Sequence, residues 1–142
     1  MSELELTVSR RIPVPREKIF NAWLSPAMLA RFMRPGEGMT VPKAETDPVK
    51  GGRFLVLMGM GDKEIPHEGT YLEIDPYSRI VFTWESPYSV DDSVVTIDLT
   101  EIDSRTTEVK LQHVKFASEE SRNNHEGGWT AVLAKLEETL AG

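Results

Sequence analysis

Three histidines, His67, His113 and His125, are the side chains in this sequence that titrate near neutral pH without help from their surroundings. Their spacing makes no metal motif. There is no His-Glu-x-x-His pair and no aspartate-rich loop, and with no cysteine there is neither a thiolate ligand nor a thiol nucleophile. No Gly-x-Ser-x-Gly turn offers an exposed serine, and Gly59-x-Gly61 falls between two strand patterns, where it cannot open a helix onto a dinucleotide. Gly51-Gly52 reads as a turn rather than a phosphate cradle. An acid/base pair such as His125 with Glu73 could form inside a cavity, but any fold with buried polar groups offers as much. No catalytic set assembles, and neither a metal nor a cofactor is expected. Recognition is the chemistry that remains. His113 and His125 each fall on an apolar face, so two polar rings among aromatic and methionine walls could orient a ligand's carbonyl or hydroxyl group. Taken singly, each histidine is better explained by a neighbouring buried backbone group that it satisfies; for the pair beside Gly128 and Trp129 the two readings rank equally.

His125 belongs to the stretch that must organise the rest, Ser118 to Leu140. His125, Trp129, Val132, Leu136 and Leu140 recur at spacings of four, three, four and four, one stripe of a helix, while Glu126, Lys135, Glu137 and Glu138 occupy the other side. Ser118 can cap the first turn, where Glu119 and Glu120 meet the positive end of the helix dipole. Gly127-Gly128 is the oddity, since each glycine costs roughly 1 kcal/mol in a helix interior relative to alanine. Close backbone approach or a bend ranks ahead of space left for a ligand beside Trp129.

Such a helix needs a surface, and the rest of the chain supplies mostly strands. The first is expected from Glu3 to Ile12, with Leu4, Leu6, Val8 and Ile12 on one face and Arg10 breaking the alternation near a fraying end. Pro13 and Pro15 stop it, and Pro15 suits the start of a helix carrying Ile19, Phe20, Trp23 and Leu24. Ser25-Pro26 caps a second short helix through Met28, Leu29, Phe32 and Met33, ended by Pro35-Gly36. Six further strands are expected: Thr40 to Asp47, an edge or bulged strand because of Pro42; Arg53 to Met60; about His67 to Asp75; Arg79 to Trp84; Ser93 to Ile102 after a polar loop, Ser86 to Asp92; and Thr106 to Val114. Short connections favour antiparallel pairing, and a twisted sheet of this size curls around the last helix.

At 142 residues the chain makes one domain, residues 1–142, able to bury a sizeable core. The start alternates apolar with polar and is no signal peptide, and nothing approaches a membrane span, so a cytoplasmic protein without a membrane partner is expected. The net charge of −7 is unevenly spread, with six Lys/Arg against three Asp/Glu in residues 1–35 and ten against twenty afterwards. An acidic chain is a poor nucleic-acid binder. Arg10, Arg11, Arg16, Lys18, Arg31 and Arg34 could make a basic face for an acidic partner, although an ordinary solvated surface ranks first.

Taken together, Pro15 with Ile19-Phe20-x-Ala22-Trp23, Ser25-Pro26, Gly51-Gly52-x-Phe54, Gly69-x-Tyr71-x-Glu73-Ile74, Thr83-Trp84, Thr107, His113 and His125-x-x-Gly128-Trp129 resemble the family named for the activator of the heat-shock protein 90 ATPase, within the START-like, helix-grip (SRPBCC) superfamily. The resemblance spans nearly the whole chain. It implies an α+β helix-grip fold, with a curved antiparallel sheet of about seven strands around the C-terminal helix and a cavity between helix, sheet and the two short helices. Phe32-Met33 departs from the tryptophan common in relatives and would leave a softer wall. At this length the N-terminal domain of the eukaryotic co-chaperone is not expected in the chain.

Three functions follow, in this order: a module that binds or carries a small apolar or aromatic molecule; a chaperone-regulating interaction protein; and an enzyme of the cyclase or hydrolase kind found elsewhere in the superfamily. For the first, the candidate ligand-binding residues are Trp23, Phe32, Phe54, Met58, Tyr71, Trp84, His113, Phe116, His125, Gly128 and Trp129. Aromatic and methionine side chains are also what cores are made of, and core is the favoured reading for each taken singly. Ligand identity and the choice between monomer and homodimer are left open.

Overall fold

The computed structural model describes residues 4–34, 38–87, 89–90 and 93–141. Glu3 at the start of the first expected strand, the Pro35-Gly36 stop, and Tyr88, Asp91 and Asp92 of the polar loop lie outside the described residues. In chain order the elements are β1 (Glu5–Ile12), α1 (Arg16–Leu24), α2 (Pro26–Phe32), β2 (Thr40–Thr46), β3 (Arg53–Met60), β4 (Lys63–Asp75), β5 (Arg79–Thr83), β6 (Val94–Asp103), β7 (Thr106–Val114) and α3 (Glu119–Ala141). The strands form one antiparallel sheet in the order β1-β7-β6-β5-β4-β3-β2, so β2 to β7 run as a meander and β1 pairs with the last strand. The sheet curves around α3, which packs on β1 and against α2: a helix-grip fold.

Alternation decides what each strand buries. Phe54, Val56 and Met58 of β3, Val95, Ile97 and Leu99 of β6, and Val109, Leu111 and His113 of β7 all turn inward to meet Trp129, Val132, Leu133 and Leu136 of α3 in one core. Fully burying a side chain of this kind contributes roughly 1.5–3 kcal/mol. The caps read from sequence are made: Ser25 Oγ accepts from the Met28 N–H at 3.3 Å and Ser118 Oγ from the Ser121 N–H at 3.1 Å.

Four local features differ from the sequence expectation. Arg10 is no fraying residue. It sits inside the β1 ladder opposite Val109, and its Nε–H donates to Glu137 of α3 at 2.8 Å, which lets a charge occupy the helix-facing side of the strand. β4 begins at Lys63, not near His67, because the β3 backbone pairs with it through Pro66 and Ile65 down to Met60, although those residues carry no apolar alternation of their own. β4 then slips by one residue between Tyr71 and Glu73. The bulge leaves Leu72 42% exposed, sends Glu73 to the outside and returns Ile74 toward the core. β5 ends at Thr83, one residue short of the expected Trp84, although the Trp84 N–H still donates to the Ser93 carbonyl in register with β6. The irregularity expected from Pro42 is present as a register shift between Thr40 and Lys43 on the edge strand.

Candidate functional site

Trp84 is held by the residues on either side of it. Thr83 Oγ1 accepts from the Thr70 N–H at 2.8 Å, and Glu85 exchanges two backbone hydrogen bonds with Glu68 at 2.8 and 2.9 Å. Outside the sheet, Arg53 grips the Glu85 carboxylate at 3.0 and 3.2 Å. With both neighbours fixed outward, Trp84 points inward, where its ring lies 4.9 Å from Trp129 and 5.1 Å from His67.

Trp129 is in turn aimed by His113. Its Nε1–H donates to His113 Nδ1 at 3.0 Å, which makes that nitrogen an acceptor and places the ring proton on Nε2. Nε2 donates to Ser93 Oγ, and Ser93 donates onward to the Val114 carbonyl. His113 is 0% exposed. Burial, aided by nearby His125, pushes its pKa down to about 3, so the ring stays neutral and the chain of donors is complete. His113 is thus a positioning residue for Trp129.

Beyond Trp129 the helix stands off the sheet. A cavity of about 540 Å³ opens between the first half of α3 and the strands β3 and β4. Met58 and Met60 from β3, Met33 from the end of α2, Trp84, Trp129 and Val132 supply its apolar wall. The polar part comes from the first turns of α3 and the segment before it, with Ser118, Glu120, Ser121, Asn124 and His125, and from Ser86 and His67 opposite. His125 Nδ1 donates to the Ser121 carbonyl at 2.8 Å, which fixes its ring, and Nε2 has no hydrogen-bond partner among the described residues. His67 Nδ1 donates to the Ile65 carbonyl at 3.1 Å. Burial pushes the His67 pKa down to about 4, against the partly offsetting effect of that bond. Among the described residues no group of three or more acidic or histidine side chains is placed to hold a metal ion.

Of the residues singled out from sequence, Met58, Trp84, His125, Gly128 and Trp129 line the cavity. Trp23, Phe54 and Tyr71 do not. With Trp84 they enclose a gap of only about 10 Å³, and they are 3%, 6% and 3% exposed. Phe32 is fully buried edge-on against Trp23, at 4.9 Å between ring centroids. Phe116 packs on His113 and His125, beside the cavity rather than in its wall. The His125–Glu73 pair does not form, because the β4 bulge puts Glu73 on the exposed side near Arg79. Sequence reasoning missed His67, Met33 and Met60. For His67 the signal was present: it lies two and four residues before Gly69 and Tyr71, on the same inward face of β4. Gly127 is exposed, and an added Cβ would meet nothing within 4 Å, so close packing does not account for it.

An antiparallel sheet gripping a long C-terminal helix, with a cleft along the first turns of that helix, defines a helix-grip protein. Residues 13–141 match the family model described as activator of Hsp90 ATPase homolog 1-like protein, and the chain belongs to that family. A search of curated proteins gave no match. Among solved structures, an AHSA1-like protein from Aeromonas hydrophila superposes with a TM-score of 0.84 at 19% identity, covering 97% of this chain and 92% of that one. A protein from Nitrosomonas europaea gives 0.81 at 22% identity, covering 99% and 96%. An HSP90 activator from Plasmodium falciparum gives 0.76 at 25% identity, covering 97% and 96%. No helix among the described residues is long and apolar enough to cross a membrane.

Proposed function

We propose that this protein binds a small, flat, largely apolar molecule in the cleft between α3 and the strands β3 and β4. The observation that carries the reading is the cleft itself. Its volume of about 540 Å³ is within the roughly 300–1,000 Å³ of small-molecule sites, with an aromatic and methionine wall and a few polar groups at one side. His125, held by Ser121, and His67, kept neutral by burial, would orient the ligand while Trp84, Trp129 and Met58 supply affinity. The test is a screen of flat hydrophobic compounds by tryptophan fluorescence, since Trp84 and Trp129 both line the space, repeated on Gly128→Leu, which fills it. Quenching in the wild type that is lost in Gly128→Leu supports the reading. Absence of binding, or binding indifferent to the substitution, removes it.

A second reading, regulation of a chaperone ATPase, is favoured by the 25% identity to the Plasmodium falciparum HSP90 activator over nearly the whole of both chains. Against it, two of the basic residues of the candidate partner face have acidic neighbours in the chain itself, Arg10 with Glu137 and Arg11 with Glu108. We expect no stimulation of the chaperone's ATPase by the purified protein. Clear stimulation, weakened in a salt-dependent way by Arg16→Glu with Lys18→Glu, would place this reading first.

A further inference from the structure

The charges around the cleft point to the class of ligand it takes: we propose a flat aromatic ammonium ion, in preference to the carboxylate of the same ring system. The inference rests on the ligand-binding reading above and specifies it. Among the described residues that form the wall, Glu120 alone carries a formal charge, and no Lys or Arg is among them. The nearest cation along the helix, Arg122, is turned to the side-chain amide of Asn123. The N-terminus of α3 also faces this end of the cleft, with about half a positive charge. Glu119 and Glu120 outweigh it in the first turn, and Ser118 Oγ already takes one of its free N–H groups.

An incoming carboxylate would therefore give up its water with no cation among the described lining residues to replace it. An ammonium finds three kinds of partner. Glu120 offers a carboxylate at the rim, and His125, its Nδ1–H committed to the Ser121 carbonyl, leaves Nε2 without a partner among the described residues. The aromatic rings of Trp84 and Trp129 in the wall add the attraction of a π-system for a cation. The net charge of −7 adds a long-range bias of the same sign.

The experiment is calorimetric titration of the full chain with naphthylmethylamine, naphthylmethanol and naphthylacetate at neutral pH. The amine should bind about tenfold more tightly than the acid, with the alcohol between, and Glu120→Gln should narrow the amine-to-acid ratio several-fold. Acid binding as tight as amine binding, or a ratio unchanged in Glu120→Gln, overturns the charge preference while leaving the cleft as a ligand site. Failure of all three probes to bind, or binding indifferent to Gly128→Leu, removes the site and the preference with it.

Discussion

Trp129 of the C-terminal helix donates its indole N–H to Nδ1 of His113 on the last strand, 3.0 Å away, with both rings inside the core. The bond ties the C-terminal helix to the last strand, and it forces His113 into the tautomer that Ser93 then reads. Removing the acceptor leaves a buried donor with nothing to bind. His113→Leu should cost about 2–3 kcal/mol in urea melts. Trp129→Ala, which also empties space against Trp84, should cost about 3–5 kcal/mol. A loss below about 1 kcal/mol in the second variant would mean that the helix does not pack on the sheet as described.

The two neutral histidines make stability depend on pH. His113 and His67 have folded-state pKa values lowered to about 3 and about 4 from 6.5, so both are neutral in the folded protein while the unfolded chain takes up protons. A group lowered in this way contributes its full stability above the unfolded value and loses it as pH falls toward the folded value. Each should remove roughly 1.4 kcal/mol per pH unit below about pH 6.5. Urea midpoints at about pH 7.5 and pH 5 check this, and His67→Gln should fall less steeply by one proton's worth. Equal slopes in the two proteins would contradict the burial of His67.

Two glycines should respond in opposite directions. Gly127 is helical and opens onto free space, so Gly127→Ala should stabilise by about 1 kcal/mol. A methyl group at Gly69 would run into the Thr83 carbonyl and the Phe54 ring, so Gly69→Ala should destabilise by roughly 3 kcal/mol. Thermal unfolding of the two variants beside the wild type decides both.

The Arg10–Glu137 pair is 2.8 Å long but 39% and 32% exposed. A double-mutant cycle with Arg10→Ala and Glu137→Ala should give a coupling of about 0.5–1 kcal/mol that shrinks with added salt. A coupling of several kcal/mol would show the pair to be shielded from water.

Where a strand has one wet face and one buried face, its residues announce it, and β7 was legible at Thr106 to Val114 on that ground. The start of β4 was not, because Lys63 to Pro66 owe their extended form to the β3 ladder rather than to their own pattern. Nor was the bulge at Leu72, since strict alternation assigns Glu73 to the inward side with Tyr71. The site was legible to a similar depth. Spacing puts His125 and Trp129 on the inner face of α3, and parity puts Trp84 and Phe54 on the inner face of the sheet. Whether an inward side chain meets a filled core, as Phe54 does, or a cleft, as Trp84 does, depends on how far the helix stands from the strands at that height. No periodicity encodes that distance.

Along α3 the far turns, with Leu133, Leu136 and the Glu137 tether to Arg10, secure the helix to the molecule, while the near turns carry Glu120, Ser121 and Asn124 on a surface that bears little of that duty. Anchor and lip are thus separate stretches of one element. Substitution can rewrite the lip without loosening the anchor. A combinatorial library confined to Glu120, Ser121 and Asn124 should accordingly yield folded proteins at high frequency and vary in what they recognise, whereas one confined to Leu133 and Leu136 should yield few folded proteins at all.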